Sequence, residues 1–281
     1  CVFGISHFGL YYLYSSTTDC QETVGTITHK AGVSGEGVYN AGKFTMYNGK
    51  LSGNNGGVTN QGTFEMYGGT ISQNTAKYGG GVYNKETGTF NMYSGTITDN
   101  TASPVYVNYY DGGGGVYNEG TFSMSGGHIF QNKSTNYGGG VNNGSGTFEM
   151  SGGEISKNTT TNRGGGVFNK GGTFIMSDAA KISENKAMYG GGVYKESGTF
   201  TMSGGTITGN IAAGSSTYAS GGGVYNQADA FTMSGGTITQ NKSQYSGGGV
   251  NNGSGTFEMS GGAITGNETE VHGGGVYKNG C

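Results

Sequence analysis

The sequence predicts an all-β, right-handed parallel β-helix of about ten coils, with about 26 residues and three short strands in each coil. Three observations predict it: an internal repeat, short segments in which apolar residues alternate with a period of two, and 63 glycines among 281 residues. That glycine content is roughly three times the usual share. An α-helix would instead show apolar spacings of three and four and few glycines.

The repeat unit contains a glycine triplet with Val, then T-F-x-M, then T-I-x-x-N. The Phe of the second word falls at positions 44, 64, 90, 122, 148, 174, 200, 231 and 257. Most steps are 26 residues; one unit is short, and two are lengthened after the same Asn, at 101–112 and 211–220. Insertions at a fixed phase predict loops on one side of a solenoid. Residues 23–281 therefore form the predicted repeat domain.

The alternation inside each word predicts which side chains face inwards. Phe and Met are two residues apart, so they lie on the same side of a strand. Strands of three to five residues are stable only when stacked on their copies, which gives parallel ladders, and parallel crossovers are right-handed by default. We therefore expect inward columns of Val, Phe, Met and Ile.

One asparagine recurs at the corner that ends each T-I-x-x-N word. A polar side chain that repeats at one phase predicts a ladder in which amides bond to neighbouring copies or to the corner backbone. The members are Asn54, Asn74, Asn100, Asn132, Asn158, Asn185, Asn210, Asn241 and Asn267.

The residue after each inward Val is predicted to point outwards, and it is aromatic in most coils. Such a stripe has two interpretations: strand propensity alone, or a lateral contact with another rod or a glycan. Its members are Tyr39, Tyr83, Tyr117, Phe168, Tyr194, Tyr225 and Tyr277.

Two glycosylation sites are predicted, at Asn143 and Asn252, each within the sequence NNGSG. Other N-x-[ST] sequons use asparagines of the ladder, which would lose their hydrogen bonds if they carried a glycan.

Charge and composition exclude several kinds of function. The formal net charge is −3, which disfavours a nucleic-acid partner. The chain has no apolar run long enough for a transmembrane segment, and no Cys/His or recurring Asp spacing predicts a metal or a cofactor. Glu65, Glu149 and Glu258 share a phase but occupy separate coils, so we assign no catalytic residue and expect no enzyme activity.

The three cysteines lie at the ends of the sequence: Cys1 and Cys20 belong to an aromatic-rich segment at 1–22, and Cys281 is the last residue. We interpret 1–22 as a cap or docking segment, and the location as oxidising and extracellular. An odd number of cysteines leaves one free or paired between chains. Cys281 with Cys1 or Cys20 of a neighbour is the favoured pairing; a local Cys1–Cys20 bridge and lipidation of Cys1 are the alternatives.

The wording GGGVYN-GTFxMSGGTIxxN, over about residues 23–280, resembles the repeats of chlamydial polymorphic outer membrane proteins and of adhesin-like β-helix surface proteins of anaerobic bacteria and methanogenic archaea. The resemblance implies a cell-surface or extracellular location and a structural or adhesive role. We therefore expect a structural protein that assembles head to tail into a filament, sheath or stalk. An adhesin or glycan-binding module is the alternative, and a polysaccharide lyase or hydrolase is the third.

Overall fold

The computed structural model describes residues 10–13, 25–28, 35–103, 112–214 and 220–278, with backbone only for 10–13. Within these ranges the chain is all-β and forms a right-handed parallel β-helix, as predicted. Every strand pairs in parallel with the strand at the same phase of the neighbouring coil.

Three sheets of ten described strands run along the rod. The Phe–Met sheet contains β1 (Leu10–Leu13), β4 (Lys43–Met46), β7 (Thr63–Met66), β11 (Thr89–Met92), β15 (Thr121–Met124), β19 (Thr147–Met150), β23 (Thr173–Met176), β27 (Thr199–Met202), β31 (Ala230–Met233) and β35 (Thr256–Met259). The Thr–Ile sheet contains β2 (Thr26–Ile27), β5 (Lys50–Ser52), β8 (Thr70–Ser72), β12 (Thr96–Thr98), β16 (His128–Phe130), β20 (Glu154–Ser156), β24 (Lys181–Ser183), β28 (Thr206–Thr208), β32 (Thr237–Thr239) and β36 (Ala263–Thr265). The Val–Tyr sheet contains β3 (Val38–Asn40), β6 (Val58–Asn60), β10 (Val82–Asn84), β14 (Val116–Asn118), β18 (Val141–Asn143), β22 (Val167–Asn169), β26 (Val193–Lys195), β30 (Val224–Asn226), β34 (Val250–Asn252) and β38 (Val276–Lys278).

A fourth sheet of two-residue strands was not predicted. It follows the asparagine corner and joins eight coils in the described part of the chain. The prediction of three strands per coil missed it because a two-residue strand has no alternation to read. Its strands are β9 (Thr75–Ala76), β13 (Thr101–Ala102), β17 (Lys133–Ser134), β21 (Thr159–Thr160), β25 (Lys186–Ala187), β29 (Ile211–Ala212), β33 (Lys242–Ser243) and β37 (Glu268–Thr269).

The core is a set of apolar columns in strict register. Phe148 is fully buried, and its ring stacks on Phe122 at 4.6 Å and on Phe174 at 5.0 Å between ring centroids. The same stacking runs from Phe44 to Phe257. Because each coil places its Phe above the previous one, the strand spacing itself sets the ring spacing.

The glycine triplets make the corner that leads into the Val–Tyr sheet. Gly138 has φ of 60°, a conformation that glycine adopts without steric cost. A Cβ on Gly140 would lie 2.7 Å from the Gly166 carbonyl oxygen and 2.8 Å from the Ile155 Cγ2. One triplet therefore combines a left-handed turn with a close approach of backbone to the next coil.

The two predicted insertions begin with strand residues. β13 and β29 occupy the first two positions of 101–112 and 211–220, and the chain returns to the coil at Gly112 and Ser220. Residues 104–111 and 215–219 lie outside the described part of the structure. Along the chain, both insertions therefore fall between a strand of the short-strand sheet and the following glycine triplet.

We expect Phe148→Ala to lower the free energy of unfolding by about 3–5 kcal/mol, because it opens a cavity in a column with a ring above and below. Phe257→Ala is the matched control: Phe257 is only partly buried and stacks on Phe231 in the last described coil. Urea denaturation of both variants, followed by circular dichroism, measures the difference. Equal losses for the two variants would contradict the proposed packing.

Candidate functional site

The predicted corner asparagines form a continuous ladder, the first asparagine ladder (Asn54 to Asn267). At each step the side-chain Nδ2 donates to the Oδ1 of the next member at 2.9–3.0 Å. Asn158 illustrates the remaining bonds. Its Oδ1 also accepts from the Asn132 backbone N–H at 2.9 Å, and its Nδ2 donates to the Ile129 carbonyl at 2.9 Å. Each amide thus joins three successive coils.

The residue before each ladder asparagine adopts a left-handed backbone conformation. Gln131 has φ of 56° and Glu184 has φ of 55°, while Gly209 occupies the same phase with φ of 64°. A non-glycine residue in this region costs about 1 kcal/mol. The ladder stabilises the turn, because the backbone N–H that follows it donates to the next asparagine Oδ1.

A second asparagine ladder, which the sequence analysis missed, runs through the third residue of the Val–Tyr strands. Here the Nδ2 donates to the Oδ1 of the asparagine in the next coil at 2.7–2.8 Å, without a break from Asn40 to Asn169 and again from Asn226 to Asn252. The repeated Asn of V-Y-N was the available signal, but asparagine is also a common turn residue. Its members are Asn40, Asn60, Asn84, Asn118, Asn143, Asn169, Asn226 and Asn252.

The predicted glycosylation sites belong to this second ladder, and the prediction was wrong. Asn143 is fully buried, and its Nδ2 donates to the Asn169 Oδ1 at 2.7 Å and to the Gly146 carbonyl at 3.1 Å. Asn252 is 4% exposed and donates to the Gly255 carbonyl at 2.9 Å. A glycan needs this nitrogen in solvent, so neither side chain is available in the folded rod.

Lys195 interrupts the second ladder between Asn169 and Asn226. The side chain is fully buried, and its Nζ donates to the Ala228 carbonyl. The Asn226 Oδ1, also buried, has no hydrogen-bond donor among the described residues. Burial lowers the pKa of Lys195 to about 8, although the nearby Asp229 carboxylate opposes the shift. The presence of lysine instead of asparagine at position 195 therefore destabilises the fold in two ways: an amide–amide hydrogen bond is lost, and an amine is desolvated.

We expect Lys195→Asn to raise the free energy of unfolding by roughly 1–3 kcal/mol, since it restores a donor to the Asn226 Oδ1 and an acceptor to Asn169. Because the folded pKa of about 8 lies below the unfolded 10.5, the wild type gains stability as the pH rises between these values. The advantage of the variant should therefore be largest below about pH 8 and shrink towards about pH 9.5. Urea denaturation across this range measures it.

Lys278→Asn is the control for this experiment. Lys278 has the same phase in the repeat but is exposed, and its Nζ donates to the Gly253 and Gly255 carbonyls at 3.0 Å each. We expect no comparable gain there. A destabilised Lys195→Asn protein, or an advantage that does not change with pH, would contradict the ladder interpretation.

The predicted outward aromatic stripe was wrong for four of its seven members, whose side chains are at most 7% exposed. The buried members are Tyr117, Phe168, Tyr194 and Tyr225. Tyr39 is 52% exposed, and Tyr83 and Tyr277 are half-buried. The alternation gave the direction of these side chains relative to their strands, but another segment of the chain covers much of this face.

The covering segment precedes the glycine triplet and builds a second, smaller aromatic core. Phe168 stacks on Tyr137 at 4.7 Å and on Tyr194 at 5.6 Å between ring centroids. The Arg163 guanidinium lies 5.1 Å from the Tyr194 ring centroid, and its Nη1 is 2.8 Å from the Glu196 Oε1. Burial raises the pKa of Tyr194. Most of the stripe is therefore internal packing, and its buried members offer no lateral contact.

The three glutamates of the Phe–Met sheet remain apart. Glu149 lies between Ser123 and Ile175 in the strand register, so neither cross-strand neighbour at this position is a second carboxylate. The Glu65 Oε2 is 2.9 Å from the Lys43 Nζ. Within the described residues, no group of three or more His, Cys, Asp or Glu side chains could hold a metal ion.

Exposed aromatic rings are found in a column that the sequence analysis did not single out, the outer tyrosine column of Tyr47, Tyr67 and Tyr93. These residues follow the Met of their strands, and their rings stack at 5.2 Å and 4.6 Å between centroids. They are 49%, 41% and 43% exposed. From the next coil onwards the position is serine, first Ser125. A surface depression of about 280 Å³ lies over Ser125, Ser151 and the residues beside them.

The last described coil exposes the side that faces away from the other described coils, here called the upper edge, which is formed by β35, β36 and β38. Met259 is 45% exposed and Val276 is 43% exposed, whereas the equivalent residues of earlier coils are buried. The Val250 backbone N–H donates to the Gly275 carbonyl at 2.8 Å, as each earlier Val does to the following coil. By the same geometry the Val276 N–H points away from the described coils.

Several predicted features fall outside the described residues, namely Cys1, Cys20 and Cys281 and most of segment 1–22. The disulfide pairings stay predictions. In the part of the chain that the structure covers, no helix is long and apolar enough to cross a membrane.

Comparison with known proteins found no family model, no curated protein and no solved structure that matches this chain. The resemblance to surface-protein repeats therefore depends on the repeated sequence motif alone. The fold defines the chain as a repeat protein with a parallel β-helix.

Proposed function

We propose that the protein is a non-catalytic structural protein of the cell surface or extracellular space, which assembles head to tail into a filament, sheath or stalk. The observation that supports the proposal is that every described coil pairs with its neighbours in the same parallel register, so the groups that join two coils of one chain also suit a coil of a second copy. On the last described coil these groups are the apolar side chains of Met259 and Val276 and the backbone N–H of Val276. An exposed parallel edge of this kind is a template for another strand.

The occupant of the upper edge in this proposal is the opposite edge of a second copy. β3 and β38 are the two edges of the Val–Tyr sheet among the described strands. Gly37 precedes Val38 as Gly275 precedes Val276, so the Val276 N–H of one chain meets the Gly37 carbonyl of the next. The contact repeats the register that already joins every coil to its neighbour.

Two general properties favour open assembly. The chain carries 14 basic and 17 acidic residues, so charge repulsion between copies is weak. A contact between two different surfaces leaves each copy with one unused surface, so it builds open fibres, or rings where its rotation closes, rather than dimers. The extracellular location rests on the terminal cysteines and on the repeat wording.

We expect Val276→Pro to abolish filaments without unfolding the rod. Proline removes the outward N–H, and it is tolerated on an edge strand when that N–H makes no bond within the chain. Negative-stain electron microscopy and sedimentation velocity of wild type and variant measure the assembly, and circular dichroism measures the fold.

Val276→Thr is the matched control, because threonine keeps the N–H and a β-branched side chain. It should assemble like the wild type. Rods of the wild type that stay single at high concentration would overturn the proposal. Non-reducing electrophoresis with peptide mapping then tests whether Cys281 joins Cys1 or Cys20 of a neighbour.

A further inference from the structure

We propose that the surface on which the outer tyrosine column ends binds an uncharged glycan, with one sugar ring stacked on Tyr93. This site lies on the side of the rod, on the outer face of the Phe–Met sheet. It is therefore independent of the end-to-end assembly proposed above.

The outer tyrosine column has a distinct end at Tyr93. Tyr67 stacks on one face of the Tyr93 ring, with centroids 4.6 Å apart. On the other side the same position of the next coil is Ser125, and among the described residues no ring stacks on that second face. An aromatic face of this kind, rigid and partly in solvent, attracts polarised C–H groups through its negative quadrupole.

In the coil next to this ring, the short side chain of Ser125 replaces the longer tyrosine side chain at the surface. A depression of about 280 Å³ begins at Ser125, which occupies the position of Tyr93 in the adjacent coil, and is lined on one side by the column serines Ser125, Ser151 and Ser177. Ser125 and Ser151 are exposed. Their hydroxyls can each donate and accept a hydrogen bond, which suits the hydroxyls of a sugar. The volume is at the small end of ligand sites and suits about one or two sugar rings.

The opposite side of the depression carries Ser123, Glu149 and Ile175. Glu149 is exposed, and no basic side chain lines the depression. A carboxylate accepts strong hydrogen bonds from neutral hydroxyl groups. It also repels uronates, sulfates and phosphates, so the site selects uncharged sugars over acidic polysaccharides and nucleic acids.

Other ligand classes fit this surface less well. The depression lies in the middle of a ten-stranded sheet, where the backbone groups already pair with the neighbouring coils, so a peptide cannot add as a strand. Serines and a glutamate are poor contacts for a lipid chain. A ring with an apolar face and a hydroxylated rim matches both the Tyr93 face and the polar walls.

The same reasoning explains why one site is expected rather than a site in every coil. The serine positions continue beyond the depression through Ser203 and Ser234, but no tyrosine precedes them at the column position. Only between Tyr93 and Ser125 does this column change from tyrosine to serine, and this change lies next to the depression.

Affinity gel electrophoresis tests the proposal with isolated monomeric protein, so that assembly does not alter the result. The gels contain a neutral β-glucan, a mannan, a xyloglucan or the acidic polygalacturonate. We expect at least one neutral polymer to retard the wild type and polygalacturonate to leave it unaffected. Tyr93→Ala should lower the affinity for the retarding polymer about tenfold, the magnitude expected for the loss of an aromatic stacking contact. Glu149→Gln should weaken it by a smaller factor, since the amide keeps one acceptor oxygen.

Matched tyrosine insertions separate binding from folding. Ser151→Tyr places a ring inside the depression at a position where the first three coils already carry tyrosine, so we expect a stable protein that no longer binds. Ser203→Tyr adds the same ring outside the depression and should bind like the wild type. Absence of retardation by every neutral polymer, retardation by polygalacturonate alone, or undiminished binding by both Tyr93→Ala and Ser151→Tyr would overturn the proposal.

Discussion

The hydrogen bonds of the two asparagine ladders are the constraint on which the rest of this rod depends. Every ladder amide except that of Asn267, in the last described coil, is buried, and a buried amide without partners costs the full desolvation of its polar atoms. The Asn158 amide finds its hydrogen-bond partners only because Asn132 and Asn185 occupy the same position of the repeat in the two adjacent coils. A shift by one residue would leave every amide of a ladder without its partner. The ladders therefore fix the register, and the apolar columns then fill the interior.

Register in turn determines where the sequence is restricted and where it can vary. The inward Phe and Met positions repeat, and the glycine triplets repeat because the next coil leaves no room for a Cβ. A charged residue is tolerated in a ladder position when its side chain has a hydrogen-bond acceptor, as Lys195 has in the Ala228 carbonyl. The outward positions of the Phe–Met sheet have no such restriction. The position of Glu149, for example, is occupied by Thr, Asn, Ser or Ile in other coils.

The repeat predicted the fold well, because period and alternation carry the strand positions, the inward columns and the first ladder. It could not predict what lies over an outward face. Phe168 points away from its strand as expected, but Tyr137 from another segment stacks on it. The second ladder went unnoticed because the Asn of V-Y-N also suits a turn. The change from tyrosine to serine at the residue after each Met is visible in the sequence. Its effect on the surface, however, follows only from the structure, in which Tyr93 and Ser125 are spatial neighbours.

A β-helix of this kind separates assembly from recognition. The forces that join coil to coil act along the axis, through backbone pairing and stacked side chains, and in the proposed assembly the same forces would act between copies. Recognition needs a surface that differs from place to place, and only the outward columns can change without disturbing the register. A single change along one column, from tyrosine to serine, alters the outer surface at the proposed glycan site at no cost to the ladders. A filament of such rods would then repeat the same glycan site at a fixed spacing, which increases avidity without any new contact.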